Sequence, residues 1–301
     1  MLRTEIDDTL TFITQPDHGR LAGMLAAHWG NASFTATGHY GNPAQSARLR
    51  GEVLLAIAEH DNGWWEWEAN PSIIPETGLP MGLGEVLQDQ RAGMDRWHLG
   101  TSRLPEHPYA SLLIAWHAYW LYAIRVLDHP DLRFTHPLFW KDVPEQLYPG
   151  ALDLPREFLD GLAIIQKRLE TAILSDDGGE SWMADNVLKP NIRLLQLCDG
   201  LSLALCSKLI SAAVGETKGL GNDDFSLIGV PRNGWDDLVD IKVTALGNKR
   251  ILLDPYPFDS PELSISVPAK ILPAGFITEL PVHTWWHSVP LHLITWTLVA
   301  P

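Results

Sequence analysis

Positive charge is scarce in this chain of 301 residues, which carries 22 Lys and Arg against 37 Asp and Glu, a formal net charge of −15. Neutralising a phosphate backbone needs clustered Lys and Arg. No basic stripe occurs, so nucleic acid is not an expected partner. Cysteine is scarcer still. Cys198 and Cys206 stand eight residues apart in what reads as one helix. About 12 Å of axial rise would separate them, too far for a disulfide. No run of 18 apolar residues occurs, so no membrane span is expected. The opening Met1-Leu2-Arg3-Thr4-Glu5 lacks the apolar stretch of a signal peptide. A cytoplasmic protein fits these absences. Also missing are a glycine-rich nucleotide loop, a serine nucleophile elbow and a cysteine–histidine pairing.

What is present is an ordinary globular balance, 46% apolar and 20% charged with a mean hydropathy of −0.04, and long enough for one large domain or a domain with an appendage. Tryptophan is abundant, with 13 copies. The clusters Trp64-Trp65-Glu66-Trp67 and Trp285-Trp286 suggest aromatic walls around a pocket as well as core.

Apolar spacing predicts a helix over residues 17–29, where Leu21, Met24, Leu25 and His28 recur at helical intervals. A loop follows over 30–42. Pro43 can open a second helix over 43–60 with Leu49, Val53, Ile57 and His60 on one face. A long loop covers 62–81. Further helices are predicted over 83–98, 107–127, 153–174 and 190–214, with an irregular, proline-bearing excursion over 129–152. After Gly215 the texture changes to short β-type runs, such as 240–246, 251–253 and 263–267, broken by Pro and Gly. The expected fold is therefore mostly α, a helical domain over 1–215 with a small antiparallel β extension over 216–301 packed on it.

Chemistry gathers at His60-Asp61. Neutral imidazole and carboxylate are both good ligands for a hard or borderline divalent metal. Neighbours on a helix point about 100° apart, but at a helix end the geometry relaxes, and Gly63 fits such an end or a tight turn. Asp199 is the telling companion. It lies in Leu194-Leu-Gln-Leu-Cys-Asp199-Gly-Leu-Ser-Leu-Ala-Leu205, where a carboxylate is buried and needs a cation. That cation is a metal, or an arginine such as Arg193 or Arg48. His18 opens the first helix.

The order His18, His60-Asp61, Asp199 on successive helices resembles the HD superfamily of metal-dependent phosphohydrolases. The flanking text Gln15-x-x-His18 with Leu21 and Trp29, then Ala58-Glu59-His60-Asp61-Asn62-Gly63-Trp64, then Leu113-x-x-x-His117, resembles a bacterial family of unknown function related to it. This second likeness covers most of the chain, including Pro255-Tyr-Pro-Phe258. The resemblance implies an HD-type helical bundle. It also implies one or two divalent ions (Fe, Mn, Mg or Zn) held by His18, His60, Asp61 and Asp199, with His60 and Asp61 at the catalytic core and a metal-activated water attacking a small phosphorylated substrate. Dinuclear members add two histidines between the His-Asp pair and the final Asp. The candidates are His98, His107 and His117, of which His117, enclosed in an apolar helix, is the favoured extra ligand. Some dinuclear members are iron oxygenases, which keeps a second enzyme class open. A non-enzymatic ligand-binding or sensor protein on the same scaffold is the third reading.

Around the pair, Glu59, Glu66 and Glu68 are candidates for a general base or for an acceptor bonded to a ligand histidine, with a solvated loop face as the alternative. Trp64, Trp65 and His107 are candidate pocket residues. His283-Thr-Trp-Trp-His287 reads as extended, which would hold its histidines about 13 Å apart. Lys167, Arg168 and Lys189 read as solvated. Oligomeric state is not legible.

Overall fold

The computed structural model describes residues 1–142 and 151–301. The chain starts as sheet. Strands β1 (Leu2–Ile6) and β2 (Thr9–Ile13) form an antiparallel hairpin around Asp7, whose φ is 51°. In β1, Leu2 and Thr4 are buried while Arg3 and Glu5 are not, the period of a half-buried strand, whereas β2 is buried throughout from Leu10 to Ile13. Helices α1 (Gln15–Ala27), α2 (Ser46–Ala58), α3 (Trp65–Ala69), α4 (Leu83–Val86), α5 (Gln90–Ser102) and α6 (Pro108–Val126) follow. Then come α7 (Asp153–Leu174), α8 (Gly179–Met183) and α9 (Asp185–Cys206). Strands β3 (Phe225–Gly234), β4 (Asp237–Gly247), β5 (Arg250–Asp254) and β6 (Glu262–Pro273) lead to the single turn α10 (Val282–Trp285) and to β7 (Leu291–Val299).

The seven strands make one sheet in the order β1-β2-β6-β7-β5-β4-β3. All neighbours are antiparallel except β5 and β7. This overturns the expectation of a mostly helical, HD-type bundle with a small C-terminal appendage. The sheet is a principal layer, and its first two strands come from the other end of the sequence. Strand β2 pairs with β6, Leu10 opposite Leu272, so the β-region over 216–301 is completed by residues 2–13.

One face of the sheet carries Leu263, Ile265, Val267 and Ala269 of β6 into the main core. Helices α1 and α9 pack there, α1 against β6 and α9 against β3. Helix α9 is buried on every side from Asn191 to Cys206, which explains its largely apolar texture and the burial of both free cysteines. It starts at Asp185 and carries Pro190 inside, earlier than the proline suggested. A second small core joins Phe12 to Trp285 and Trp286, with Phe12 and Trp286 edge to face at 5.2 Å. Those two tryptophans fill core rather than wall a pocket. Their segment is a helical turn, not extended, with His283 and His287 exposed. Within the excursion, short 3-10 turns at Leu132–Phe134 and Pro137–Phe139 are visible, while 143–150 lie outside the described residues. Among the described residues no helix is long and apolar enough to cross a membrane.

Candidate metal centre

Three close approaches assemble the site. Helix α1 is capped by Thr14, whose hydroxyl accepts the Asp17 N–H at 3.1 Å. It carries Gly23, where a Cβ would stand 2.6 Å from that of Ala58. The missing side chain lets α1 and the end of α2 touch, and the His18 and His60 rings meet edge to face at 5.1 Å. Helix α2 ends at Ala58. His60 and Asp61 therefore lie in the turn leading to the 3-10 segment Asn62–Trp64, where neighbouring side chains can serve one site. Gly63 is required for contact rather than for a turn, because its Cβ would fall 2.0 Å from the Arg96 carbonyl oxygen of α5. On α9, Gly200 leaves room for Pro137, whose Cβ would be 2.5 Å from an added Cβ.

Arg193, Gln196 and Asp199, at three-residue steps along α9, hold the excursion onto this helix. The Arg193 guanidinium donates to the Thr135 carbonyl at 2.6 Å, and the Gln196 amide donates to the Phe134 carbonyl at 2.8 Å. Asp199 then receives His136 Nε2 at 2.9 Å.

The assembled residues are His18, His60, Asp61, His117, His136 and Asp199, all buried. His18 Nε2 is 2.7 Å from Asp61 Oδ2. His60 Nε2 is 3.3 Å from Asp199 Oδ1 and 3.7 Å from Asp61 Oδ2. His117 Nε2 is 3.3 Å from Asp199 Oδ2. Two groups have ligand atoms within 4.8 Å of one another, His18–His60–Asp199 and His117–His136–Asp199. Among the described residues Asp199 has no arginine partner. Arg193 is spent on carbonyls and on Gln196, and Arg48 pairs with Asp176.

Proton bookkeeping separates the histidines. The His60 Nδ1–H donates to the Ile57 carbonyl at 2.8 Å. The Ser202 hydroxyl donates to the Asp199 carbonyl at 2.8 Å, so it accepts from the His18 Nδ1–H, also at 2.8 Å. His60 therefore aims Nε2 at both carboxylates, while His18 aims Nε2 at Asp61 and sets its Nδ1 edge 3.7 Å from Asp199 Oδ1; an Nδ1–H held by a group behind the ring is the arrangement metal-bound histidines use. His136 is the reverse. The Leu138 N–H donates to its Nδ1 at 3.0 Å, so the proton sits on Nε2 and is donated to Asp199. His136 orients the carboxylate. Among the described residues His117 has no hydrogen bond at either nitrogen.

These residues fit a divalent ion. Donor atoms around an ion at about 2.0–2.2 Å stand roughly 3.0–3.5 Å apart, as the His60–Asp199 contact does. His60 Nε2 and Asp199 Oδ1 face each other at 3.3 Å, buried and with no other partner among the described residues, so a proton or a cation between them is what satisfies both. Electrostatics agree. Burial opposes charge on His60, yet Asp199 and Asp61 outweigh it and push its pKa up to about 9. Burial likewise opposes charge on Asp199, and His60, with the neighbouring histidines, holds it well below the usual carboxylate range. Burial dominates at His117 and pulls it down to about 4.

The site opens on a cavity of about 270 Å³, floored by His18, Asp61, His117, His136 and Asp199. Leucines, Trp64, Trp97 and Phe139 form most of its wall, with Gln15, Tyr122 and Arg125 as further polar groups.

Several expected residues lie elsewhere. Glu68 is buried behind the site, paired with the Met1 amine at 2.8 Å and accepting the Gln15 N–H at 3.1 Å. Glu59 is half-buried with a carboxyl raised by burial, and Glu66 is paired with Arg103 on the surface; neither lines the cavity. Trp65 is 42% exposed under Arg103. His107 precedes α6 and meets Glu52 at 2.8 Å. His98 packs on Phe158. Lys167 and Lys189 pair with Glu170 and Asp185. His136 went unread, though it lay in Thr135-His136-Pro137, where histidine starts an extended turn that a proline continues. Ser202, read only as part of an apolar helix, is the other omission.

The model of the family described as "Protein of unknown function (DUF3891)" matches residues 1–274, and the chain belongs to that family. No curated protein and no solved structure matches it.

Proposed function

We propose that the protein is a metal-dependent hydrolase acting on a small phosphorylated molecule. The observation that carries the reading is the buried pair His60 Nε2 and Asp199 Oδ1, 3.3 Å apart with no other partner among the described residues, beside a cavity that Asp199 itself lines. The order His18, His60-Asp61, Asp199, with its likeness to HD phosphohydrolases, supplies the reaction class by analogy. His18, His60, Asp61 and Asp199 are the ligands. His117 is the further ligand or the group nearest the reacting atoms, and His136 steadies Asp199. When bound, the metal lowers the pKa of water and draws charge from a phosphoryl oxygen. Neutral His117 is placed to take a proton beside it. We place the protein in the cytoplasm, in keeping with its two free cysteines. The test is metal analysis of the purified protein, then a screen of aryl and nucleotide phosphates with Mn²⁺, Mg²⁺, Fe²⁺ or Zn²⁺. Protein that takes up no metal, or that takes it up and hydrolyses none of them, overturns the reading.

One observation favours a second reading, an iron-dependent oxygenase: the wall of the cavity is mostly apolar, which suits a substrate poor in charge. Iron as the native metal together with O₂ consumption would select it over the hydrolase.

A further inference from the structure

The cavity holds a cation that the metal-binding residues do not explain. His117, Leu121, Tyr122 and Arg125 all line it, at i, i+4, i+5 and i+8 on one face of α6. Arg125 forms no ion pair and no hydrogen bond among the described residues, and its buried Nε has no partner. Its nearest described aromatic neighbours, the Tyr122 and Phe139 rings at 5.7 and 5.9 Å, leave its N–H donors unused. A guanidinium has five such donors in a fork that matches an oxyanion. Seven other arginines, Arg3, Arg20, Arg48, Arg103, Arg133, Arg232 and Arg250, are ion-paired, and Arg50 and Arg193 donate to backbone carbonyls. An arginine left unpaired against a cavity in a chain of net charge −15 is available to an anion from outside.

Its distance from the metal-binding residues says which anion. Eight residues along α6 amount to about 12 Å between the His117 and Arg125 backbones, and a helical side chain leans toward the N-terminus, here toward His117. A phosphoryl group at His18, His60, Asp61 and Asp199 therefore leaves Arg125 to a different part of the same ligand. Between them the wall is Trp97, Leu121, Leu138 and Phe139.

Resting on the hydrolase reading, we infer that Arg125 receives a second oxyanion of the substrate, carried on an apolar spacer away from the phosphoryl group at the metal-binding residues. The substrate class is a phosphate ester whose apolar body ends in a carboxylate or a second phosphate, and Arg125 sets the preference for it.

The test uses metal-loaded protein and non-hydrolysable probes: phenylphosphonate, 4-carboxyphenylphosphonate and 1,4-phenylenebisphosphonate, titrated by calorimetry. Wild type should bind at least one doubly anionic probe about tenfold or more tighter than phenylphosphonate, as a charge-assisted pair requires. Whichever probe gains more identifies the second group. Arg125→Met should abolish the preference and leave phenylphosphonate binding within about twofold. Arg125→Lys should keep part of it. If Arg125→Met fails to fold, Arg125→Gln reads the same loss. No preference in wild type, or one that survives loss of the guanidinium, overturns the inference. The hydrolase reading fails separately, by metal-loaded wild type leaving phenyl phosphate and 4-carboxyphenyl phosphate intact while the Arg125-dependent preference persists.

Discussion

Asp199 has two sides, and they are built differently. On one side His18 and His60 each donate Nδ1–H, to Ser202 and to Ile57, and aim Nε2 at carboxylates. On the other, His136 accepts the Leu138 N–H and donates Nε2–H to Asp199, while His117 stands 3.3 Å from Asp199 with no hydrogen bond at either ring nitrogen among the described residues. Ring-to-carboxylate distances barely separate the two sides, since 3.3 Å occurs on both. What separates them is the group behind each ring. A backbone carbonyl or hydroxyl behind the imidazole makes a ligand, and a backbone N–H behind it makes a donor.

The largest effect should come from breaking the first side. His60→Ala should remove a bound divalent ion, with affinity falling by about a thousandfold or more, whereas His136→Ala should lower it only about 10–100-fold, as expected for a group that orients a ligand. Metal titration of both variants checks this. Equal losses would dissolve the distinction.

The two sides also titrate in opposite directions. His60 has its pKa raised to about 9 in the folded, metal-free protein, so its stabilising contribution is complete below the unfolded value near 6.5 and is lost as pH rises through about 9, roughly 3 kcal/mol in all. His117, lowered to about 4, acts conversely. The unfolded chain takes up its proton first, so stability falls as pH drops from about 6.5 to 4. The metal-free Tm should therefore peak near neutrality and decline on both sides. His60→Gln should flatten the alkaline decline, and His117→Gln the acid one. A Tm that rises steadily from pH 6.5 to 9 would contradict the assignment.

Smaller effects test the supports. Ser202→Ala takes away the acceptor behind His18 and should cost about tenfold in metal affinity with little change in Tm; an unchanged affinity would show that His18 does not depend on it. Gly23→Ala places a methyl group against Ala58 and should destabilise the fold by about 1–3 kcal/mol, read as a lower Tm. Unchanged Tm and metal affinity would mean that close approach of α1 and α2 is not what brings His18 to His60.

The longer helices were legible because their apolar stripes survive as local pattern, and the span 153–174 agrees with α7 residue for residue, but α9 runs Asp185–Cys206 rather than 190–214, and α3 lies inside the stretch 62–81 expected to be loop. The N-terminal hairpin was not read, although Leu2, Thr4 and Ile6 alternate with polar neighbours and Asp7-Asp8 marks a turn. Five-residue strands are too short to stand out, and β6, the partner of β2, lies more than 250 residues away. Asp199 could be singled out because a carboxylate among leucines has few explanations. Glu68 could not be removed from the candidates, since its tie to the Met1 amine is a long-range contact.

The amino-acid sequence by itself determined which residue types could serve as metal ligands and their order, His18, His60-Asp61 and Asp199, because residue chemistry is local and a buried carboxylate in an apolar flank calls for a cationic partner. Only the tertiary structure decided the rest. It made the sheet a principal layer by pairing the two ends of the chain, brought His136 beside Asp199 through the close contact of Gly200 with Pro137, and left Arg125 unpaired at the cavity. Which nitrogen of a histidine carries the proton depends on the group packed behind it, and that group arrives from another element.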